Sequence, residues 1–501
     1  MRLRPMPGSS PREALLQQQE LLEKLAPYAA GFYIDGLAEG WPPEEAVAYL
    51  REVRLLAAAA GRPALLVVPP RLPEGTLRMI AAQLASWSGV VAGEALPAGG
   101  RRVCVGGREV LRAQLDLVRE LRAAGAHTII AAGAVSQPQD ALELLAAGAN
   151  GIQLHSGLVY AGPGLPKRVN EAILYERIRE TEEPSPPSFW ANWGWMSLLG
   201  TGMIIGGVLA LLVALTTVLL PYDESFLGVT RSVINRWNGH LLHFMSHDRI
   251  TLAGTMMSIG IFYNQLARHG LRTGSHWSRT ALLASCTVGF SSFFLYLGYG
   301  YFDPLHAVAA AVLLPMLLLT IRGLKDLPSR KPPGLYNDAV WRRAQWGQCC
   351  FVILGAGLAA GGLTIACVGV TTVFVPTDLA FLGVTAEELA AWNERLIPLI
   401  AHDRAGFGGA LFSLAVAITA SALWGVAQGE DWLWRTFLWG GIPGFASGLL
   451  VHLHIGYTDF VHLLPVYIAL LLYAAGLYLL HPFLVLRADR GLDRAASAEP
   501  F

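Results

Sequence analysis

The chain has 501 residues, with 37 basic and 37 acidic side chains and 53% hydrophobic residues, and its mean hydropathy is +0.43. Only 15% of residues are charged, against about 25% in ordinary soluble domains. These values exclude a disordered chain, a nucleic-acid binder built on bulk positive charge and a wholly soluble globule.

Residues 1–190 have the composition of a soluble domain, whereas 196–482 are almost continuous apolar runs. Cys104, Cys286, Cys349, Cys350 and Cys367 are too few and too scattered for a disulfide framework, and read as small buried hydrophobes. No charged, apolar, small-residue leader opens the chain, so the first domain is expected in the cytoplasm.

Within 1–180, short β-branched runs alternate with amphipathic stretches. Strands are expected at Gly31–Ile34, Ala64–Val68, Gly89–Val91, Val103–Val105, Thr128–Ala131 and Gly151–Leu154, and helices at 12–26, 43–60, 74–87, 109–124, 138–147 and 165–180. This alternation predicts βα units around a mainly parallel sheet. A complete eight-unit barrel takes about 250 residues, so the expected fold class is an α/β partial TIM-barrel-like domain. Gly133-Ala134 follows one strand and His155-Ser156-Gly157 the next. Small residues in such loops let backbone N–H groups approach a phosphate, because a Cβ would block the approach.

The stretch TIIAAGAVSQPQDALELLAAGANGIQLHSGLVYAGPGL (128–165) resembles the C-terminal end of dihydroorotate dehydrogenase, a flavin mononucleotide (FMN) barrel. Fainter similarity runs back to about residue 30, through PALLVVPPRLPEGTLRMIA, GVVAGEAL and VGGREVL, and covers about residues 30–175. The resemblance implies that Gly133, Ala134, Ser156 and Gly157 form the cofactor's phosphate cradle, and it implies a quinone as electron acceptor. The family's flavin-contacting lysine falls on Val67, its substrate-binding asparagines near Asp35 and Glu94, and its catalytic base near Ala38. An anionic substrate would meet carboxylates there. The resemblance therefore implies a flavoprotein degenerate for dihydroorotate oxidation, with no catalytic residue assigned. His127 reads as solvated or structural and His155 as a packing residue.

An all-α polytopic membrane domain is expected next, after a Pro/Trp-rich linker (181–195) whose Trp190, Trp193 and Trp195 suit a membrane interface. A span needs about 20 mostly apolar residues. Stretches at 196–220, 250–268, 279–300, 305–322, 348–375, 404–426, 436–455 and 461–482 qualify. The basic residues at 268–279, in the linker 323–347, and at Arg487 and Arg490 in the tail 483–501 fall on one side with the first domain. The positive-inside rule then gives cytoplasmic N and C termini in an inner or plasma membrane.

PYDESFLGVT (221–230) matches PTDLAFLGVT (376–385) at an offset of 155, which holds through Trp237/Trp392, Asn238/Asn393 and His247-Asp248-Arg249/His402-Asp403-Arg404. After one inserted residue, Asp303-x-x-His306 answers Asp459-x-x-His462. Two parallel four-helix repeats are expected, at 196–322 and 348–482. Each would gather a His-Asp-Arg and an Asp-x-x-His on the extracytoplasmic side.

Imidazole with carboxylate is the ligand set of a divalent metal such as zinc, and also of a proton relay. On that reading His247, Asp248, Asp303, His306, His402, Asp403, Asp459 and His462 are candidate ligands. His240, His243, His452 and His454 are possible additions found in one copy only. On the competing reading the four aspartates are helix caps, with Arg249 and Arg404 as salt-bridge partners of the residues before them. The expected partners are the lipid bilayer, a quinone and a second copy covering open strand edges. The alternative function makes the first domain a non-catalytic binding module, and the eight-helix part a metal-dependent or proton-coupled membrane protein.

Overall fold

The computed structural model describes residues 1–6, 8–37, 41–69, 75–93, 96–98, 101–103, 107–294 and 300–485. Ala38, Glu94, Cys104, Arg487 and Arg490 lie outside the described residues. The chain divides into two units, one of Met1–Glu180 with Arg330–Asn337, the other of Thr181–Ser329 with the described part of 338–491.

In the first unit, strands β1 (Arg2–Leu3), β2 (Phe32–Ile34), β3 (Ala64–Val68), β4 (Gly89–Gly93), β7 (Ile129–Ala132) and β8 (Gly151–Gln153) form one parallel sheet in that order. The register runs Tyr33 to Leu65, Leu66 to Val90, Val91 to Ile130 and Ala131 to Ile152. Helices α1 (Pro11–Leu25), α2 (Pro43–Ala59), α3 (Thr76–Leu84), α4 (Arg108–Ala123), α5 (Pro138–Ala146), α6 (Gly157–Ala161) and α7 (Leu165–Ile178) connect or follow the strands. The start of α1 is fixed by a capping box: Glu13 N–H donates to Ser10 Oγ, and Ser10 N–H to the Glu13 carboxylate. Among the described residues β1 and β8 do not pair, so the sheet is open as a partial barrel must be.

Two details differ from the sequence expectation. The two-residue β1 is too short to give a periodic signal. Of the strand expected at Val103–Val105 only Val103 lies within the described residues, and it ends β6 (Arg101–Val103), which pairs antiparallel with β5 (Leu96–Ala98).

Residues 330–337 bind back on the first unit. Asn337 Nδ2 donates to Ser136 O (2.7 Å), and Arg168 Nη1 donates to Asn337 Oδ1 (2.6 Å). They therefore brace the loop after β7, although in sequence they read only as part of a basic linker.

The second unit is all helical. Its long helices are α8 (Trp193–Thr216), α11 (Gly239–Gln265), α12 (His276–Phe294), α13 (Pro304–Ile321), α14 (Ala339–Val370), α17 (Leu396–Ala420), α18 (Asp431–Ile455) and α19 (Phe460–Leu484). Short helices α9 (Pro221–Leu227), α10 (Arg231–Trp237), α15 (Pro376–Leu382) and α16 (Ala386–Trp392) fill the two connections before α11 and α17.

Among the described residues six helices are long and apolar enough to cross a membrane: α8, α13, α14, α17 with its extension to Gly425, α18 and α19. This makes the chain a membrane protein. Eight such stretches are expected from sequence. The two not among them are α11, whose first half carries His240, His243, His247, Asp248 and Arg249, and α12, whose expected span 279–300 runs past Phe294 beyond the described residues. Helix α11 starts at Gly239 rather than near 250, capped by the Asn238 side chain accepting from His240 N–H (2.9 Å).

Candidate functional sites

Parallel strands put all their C-terminal ends on one edge of a sheet. In the first unit that edge carries Asp35 after β2, Gly133-Ala134 after β7 and Ser156-Gly157 after β8. Gly133 (φ +80°) and Ala134 (φ +59°) are both left-handed, a conformation that L side chains rarely adopt. A Cβ on Gly157 would stand 1.9 Å from Val135 O, so these two loops touch through bare backbone. The amides of Ala134, Ser156 and Gly157 find no acceptor among the described residues.

Around this edge the expected replacements are visible. Val67 is buried with Val91 and Ala132 in an apolar patch on one face of the sheet, so no charge stands where the family's lysine would. Asp35 is buried, but Arg2 Nη2 donates to it at 2.9 Å and Arg4 lies at 3.6 Å. Its charge is therefore locally balanced, and the repulsion expected from a bare carboxylate is removed. Burial, and then the charge of Arg2, push the His155 imidazole below its ordinary range, so it stands neutral beside Gln153 (Nε2···Nε2 2.7 Å).

In the second unit the matched polar residues meet across copies. Arg249 Nε donates to Asp403 Oδ2 (2.8 Å), and its Nη1 donates to Asp223 Oδ2 (2.9 Å) and Val218 O (2.5 Å). Arg404 Nε donates to Asp248 Oδ2 (3.2 Å), and its Nη1 to Asp378 Oδ2 (2.5 Å) and Val373 O (2.7 Å). Every partner of Arg404 is the partner of Arg249 displaced by 155 positions, and each arginine crosses to the aspartate of the other copy. Val218 (φ +60°) and Val373 (φ +63°) are left-handed as well. Trp237 stacks on Trp392 at 4.4 Å, while Asn238 Nδ2 donates to Leu382 O and Asn393 Nδ2 to Leu227 O, both at 2.9 Å.

Two groups of imidazoles flank this network. His247, His452 and His462 offer ligand atoms within 4.8 Å of one another, as do Asp303, His306 and His402. Each group joins the helix histidine of one copy to the hairpin histidine of the other. His402 Nε2 lies 2.8 Å from His306 Nδ1, and 3.7 Å from Asp303 Oδ2.

Among the candidate ligands, Asp248 and Asp403 sit inside α11 and α17 as partners of arginines, neither as helix caps nor within either group. The salt-bridge partner of each comes from the other copy, not from the next residue. Asp459 and Asp303 are caps: Asp459 accepts from His462 N–H (2.8 Å), and Asp303 from Leu305 N–H (2.8 Å). Asp303 also belongs to the second group. His452 joins the first group, whereas His240, His243 and His454 join neither. The sequence reading missed Asp223 and Asp378 as arginine partners, although both stand inside the repeated decapeptides.

The first unit's open parallel sheet with connecting helices defines a partial α/β barrel. Residues 78–176 match the family model described as dihydroorotate dehydrogenase.

The chain is 46% identical over 70 residues to the dihydroorotate dehydrogenase (quinone) of Chloroflexus aurantiacus, covering 14% of this chain and 19% of the relative. It is 35% identical over 133 residues to that of Acidovorax ebreus, covering 24% and 38%. It also aligns with the ligand-free dihydroorotate dehydrogenase structure from Eimeria tenella (18% identity, TM-score 0.28, 32% of this chain and 55% of that one). The first unit is thus dihydroorotate dehydrogenase-like, and the chain spans well under half the length of these two curated relatives.

Proposed function

We propose that the chain is a membrane-bound, dihydroorotate dehydrogenase-like flavoprotein that holds flavin mononucleotide by its phosphate, has lost dihydroorotate oxidation and passes to a quinone the electrons that its flavin takes from another two-electron donor. The observation that carries this reading is the left-handed Gly133-Ala134 turn beside Ser156-Gly157, within the segment that matches the family. The residues fit the phosphate end of the cofactor, since three backbone amides have no acceptor among the described residues and Gly133 and Gly157 carry no side chain. They do not fit the family's catalytic end, because Val67 brings no charge and Asp35 is tied to Arg2 and Arg4.

When bound, the cofactor would supply hydride and electron chemistry. The chain's own part is to hold the phosphate on backbone N–H groups and the Ser156 hydroxyl, with a neutral His155 adding no charge. A quinone acceptor is supported by the named relatives, and by helices that place the chain where quinones dissolve. The chain leaves the first unit after Glu180 and returns to it at Arg330. The basic residues at 268–279 and 323–347 support both termini facing the cytoplasm, in an inner or plasma membrane.

The full chain, purified in detergent, is expected to carry FMN, and anaerobic dihydroorotate should leave its visible absorbance unbleached. Bleaching would overturn the degeneracy. Ser156→Asp sets a carboxylate against the phosphate, and at effective dielectric constants near a protein surface this costs a few kcal/mol, so FMN affinity should fall at least about tenfold.

A second reading is favoured by the buried histidine–aspartate–arginine network. In it the first unit is a non-catalytic binding module, and the duplicated helical part carries a metal-dependent or proton-coupled activity.

A further inference from the structure

The two nearest imidazoles of the first histidine group face each other with nitrogen lone pairs. His247 Nδ1 lies 2.9 Å from Asp248 Oδ1. Arg404 Nε donates to the other oxygen of that carboxylate, so the carboxylate is the acceptor toward both neighbours. His247 Nδ1 must therefore carry the proton. His452 Nδ1 lies 2.5 Å from Gly448 O, a carbonyl that also only accepts, so the same holds there. With Nδ1 of each ring turned to an acceptor, each imidazole presents its Nε2 to the other, and the two Nε2 atoms stand 3.0 Å apart. Two lone pairs at that separation repel unless a cation lies between or beside them.

Three further observations point to a metal. His462 supplies a third nitrogen within 4.8 Å of the other two, and its imidazole bonds to no described residue. Two nitrogen ligands at about 2.1 Å from a tetrahedral ion lie about 3.4 Å apart, close to the spacing here. The carboxylate behind His247 is the second-shell partner that orients metal-bound histidines. One guanidinium, Arg404, also faces two carboxylates, Asp248 and Asp378, which leaves negative charge in excess beside the group.

All three histidines line a cavity of about 740 Å³ whose other walls are mainly apolar, among them Phe262, Phe351 and Phe437. We infer that His247, His452 and His462 hold one divalent transition-metal ion, with its remaining coordination position open to this cavity. Three imidazoles with an open fourth position are the arrangement of a reactive rather than a structural metal. The ligand expected in the cavity is an apolar molecule with one oxygen or nitrogen donor. This inference deepens the second reading above and is independent of the flavin.

The test uses the full chain in detergent, stripped with chelator, loaded with Zn²⁺ or Co²⁺ and dialysed. Wild type should retain one equivalent more than His452→Gln or His462→Gln, with flavin content unchanged. Any ion at Asp303, His306 and His402 is common to all samples. Should the variants fail to fold, histidine modification of the wild type mapped by mass spectrometry replaces them, and Zn²⁺ should protect His462. No metal uptake, equal uptake by the variants, or labelling of His462 indifferent to Zn²⁺ would each overturn the site. The proton-coupled form of the second reading would survive that result.

Discussion

At the scale of single residues, Arg249 and Arg404 organise the second unit. Each fork serves two carboxylates and one carbonyl. The carbonyls come from Val218 and Val373, whose left-handed backbones cost about 1–2 kcal/mol each in an L residue. That strain turns both oxygens toward a guanidinium and persists because the ion pairs offset it. Replacing Arg404 by Leu leaves Asp248 and Asp378 buried and uncompensated, so stability in detergent should drop by about 3–5 kcal/mol. Arg404→Lys should rescue only part of this, since an ammonium cannot reproduce the fork; thermal denaturation of both variants measures the difference.

In the first unit, His155 gives a pH dependence whose sign is fixed. Burial and Arg2 lower its folded-state pKa, so the fold favours the neutral imidazole. No stability is lost above the unfolded value of about 6.5, and loss sets in as pH falls below it. His155→Gln should flatten that acid limb, as followed by denaturation at pH 5 to 8.

At the scale of elements, Asn238 and Asn393 do the same two jobs. Each caps a following amide, His240 N–H at 2.9 Å and Arg395 N–H at 3.0 Å, and each donates to a carbonyl of the opposite copy. Alanine at either position should therefore cost about 2 kcal/mol, a cap and a hydrogen bond together, and the two losses should agree within error. A large effect at one site and none at the other would contradict the equivalence of the copies.

Most elements were legible from periodicity: the helices at 43–59, 108–123 and 138–146 and the strand at 64–68 stand within a residue or so of expectation. The failures have physical causes. A hairpin and a parallel strand share the same alternation, which hid β5 and β6. The polar start of α11 reads as a loop because nothing local shows that Asp248 and Arg249 are neutralised from the opposite copy.

At the scale of the whole molecule, the matched sequences identified the polar residues but not their partners, because an offset of 155 says nothing about which copy pairs with which. Crossed pairing of His247 with His462, and of His402 with His306, is a property of the packed bundle. The close approach of the Gly133-Ala134 and Ser156-Gly157 loops was legible because small residues stand at the ends of both strands. The return of residues 330–337 to that loop was not, since hydrogen bonds from Asn337 to Ser136 and Gln137 leave no sequence pattern. Asn337→Ala removes the side-chain bonds to Ser136 O and Arg168, leaving the backbone bond to Gln137, and should loosen the loop after β7, seen as faster amide exchange at Ser136 and Gln137 while the strands keep their protection.

The central claim is that a degenerate dihydroorotate dehydrogenase-like unit still holds its cofactor. It is tested most directly by the visible spectrum of the purified full chain, with the released chromophore identified by mass. A yellow protein that releases flavin mononucleotide on denaturation is the expected result. A colourless protein that takes up no flavin mononucleotide on incubation would contradict it.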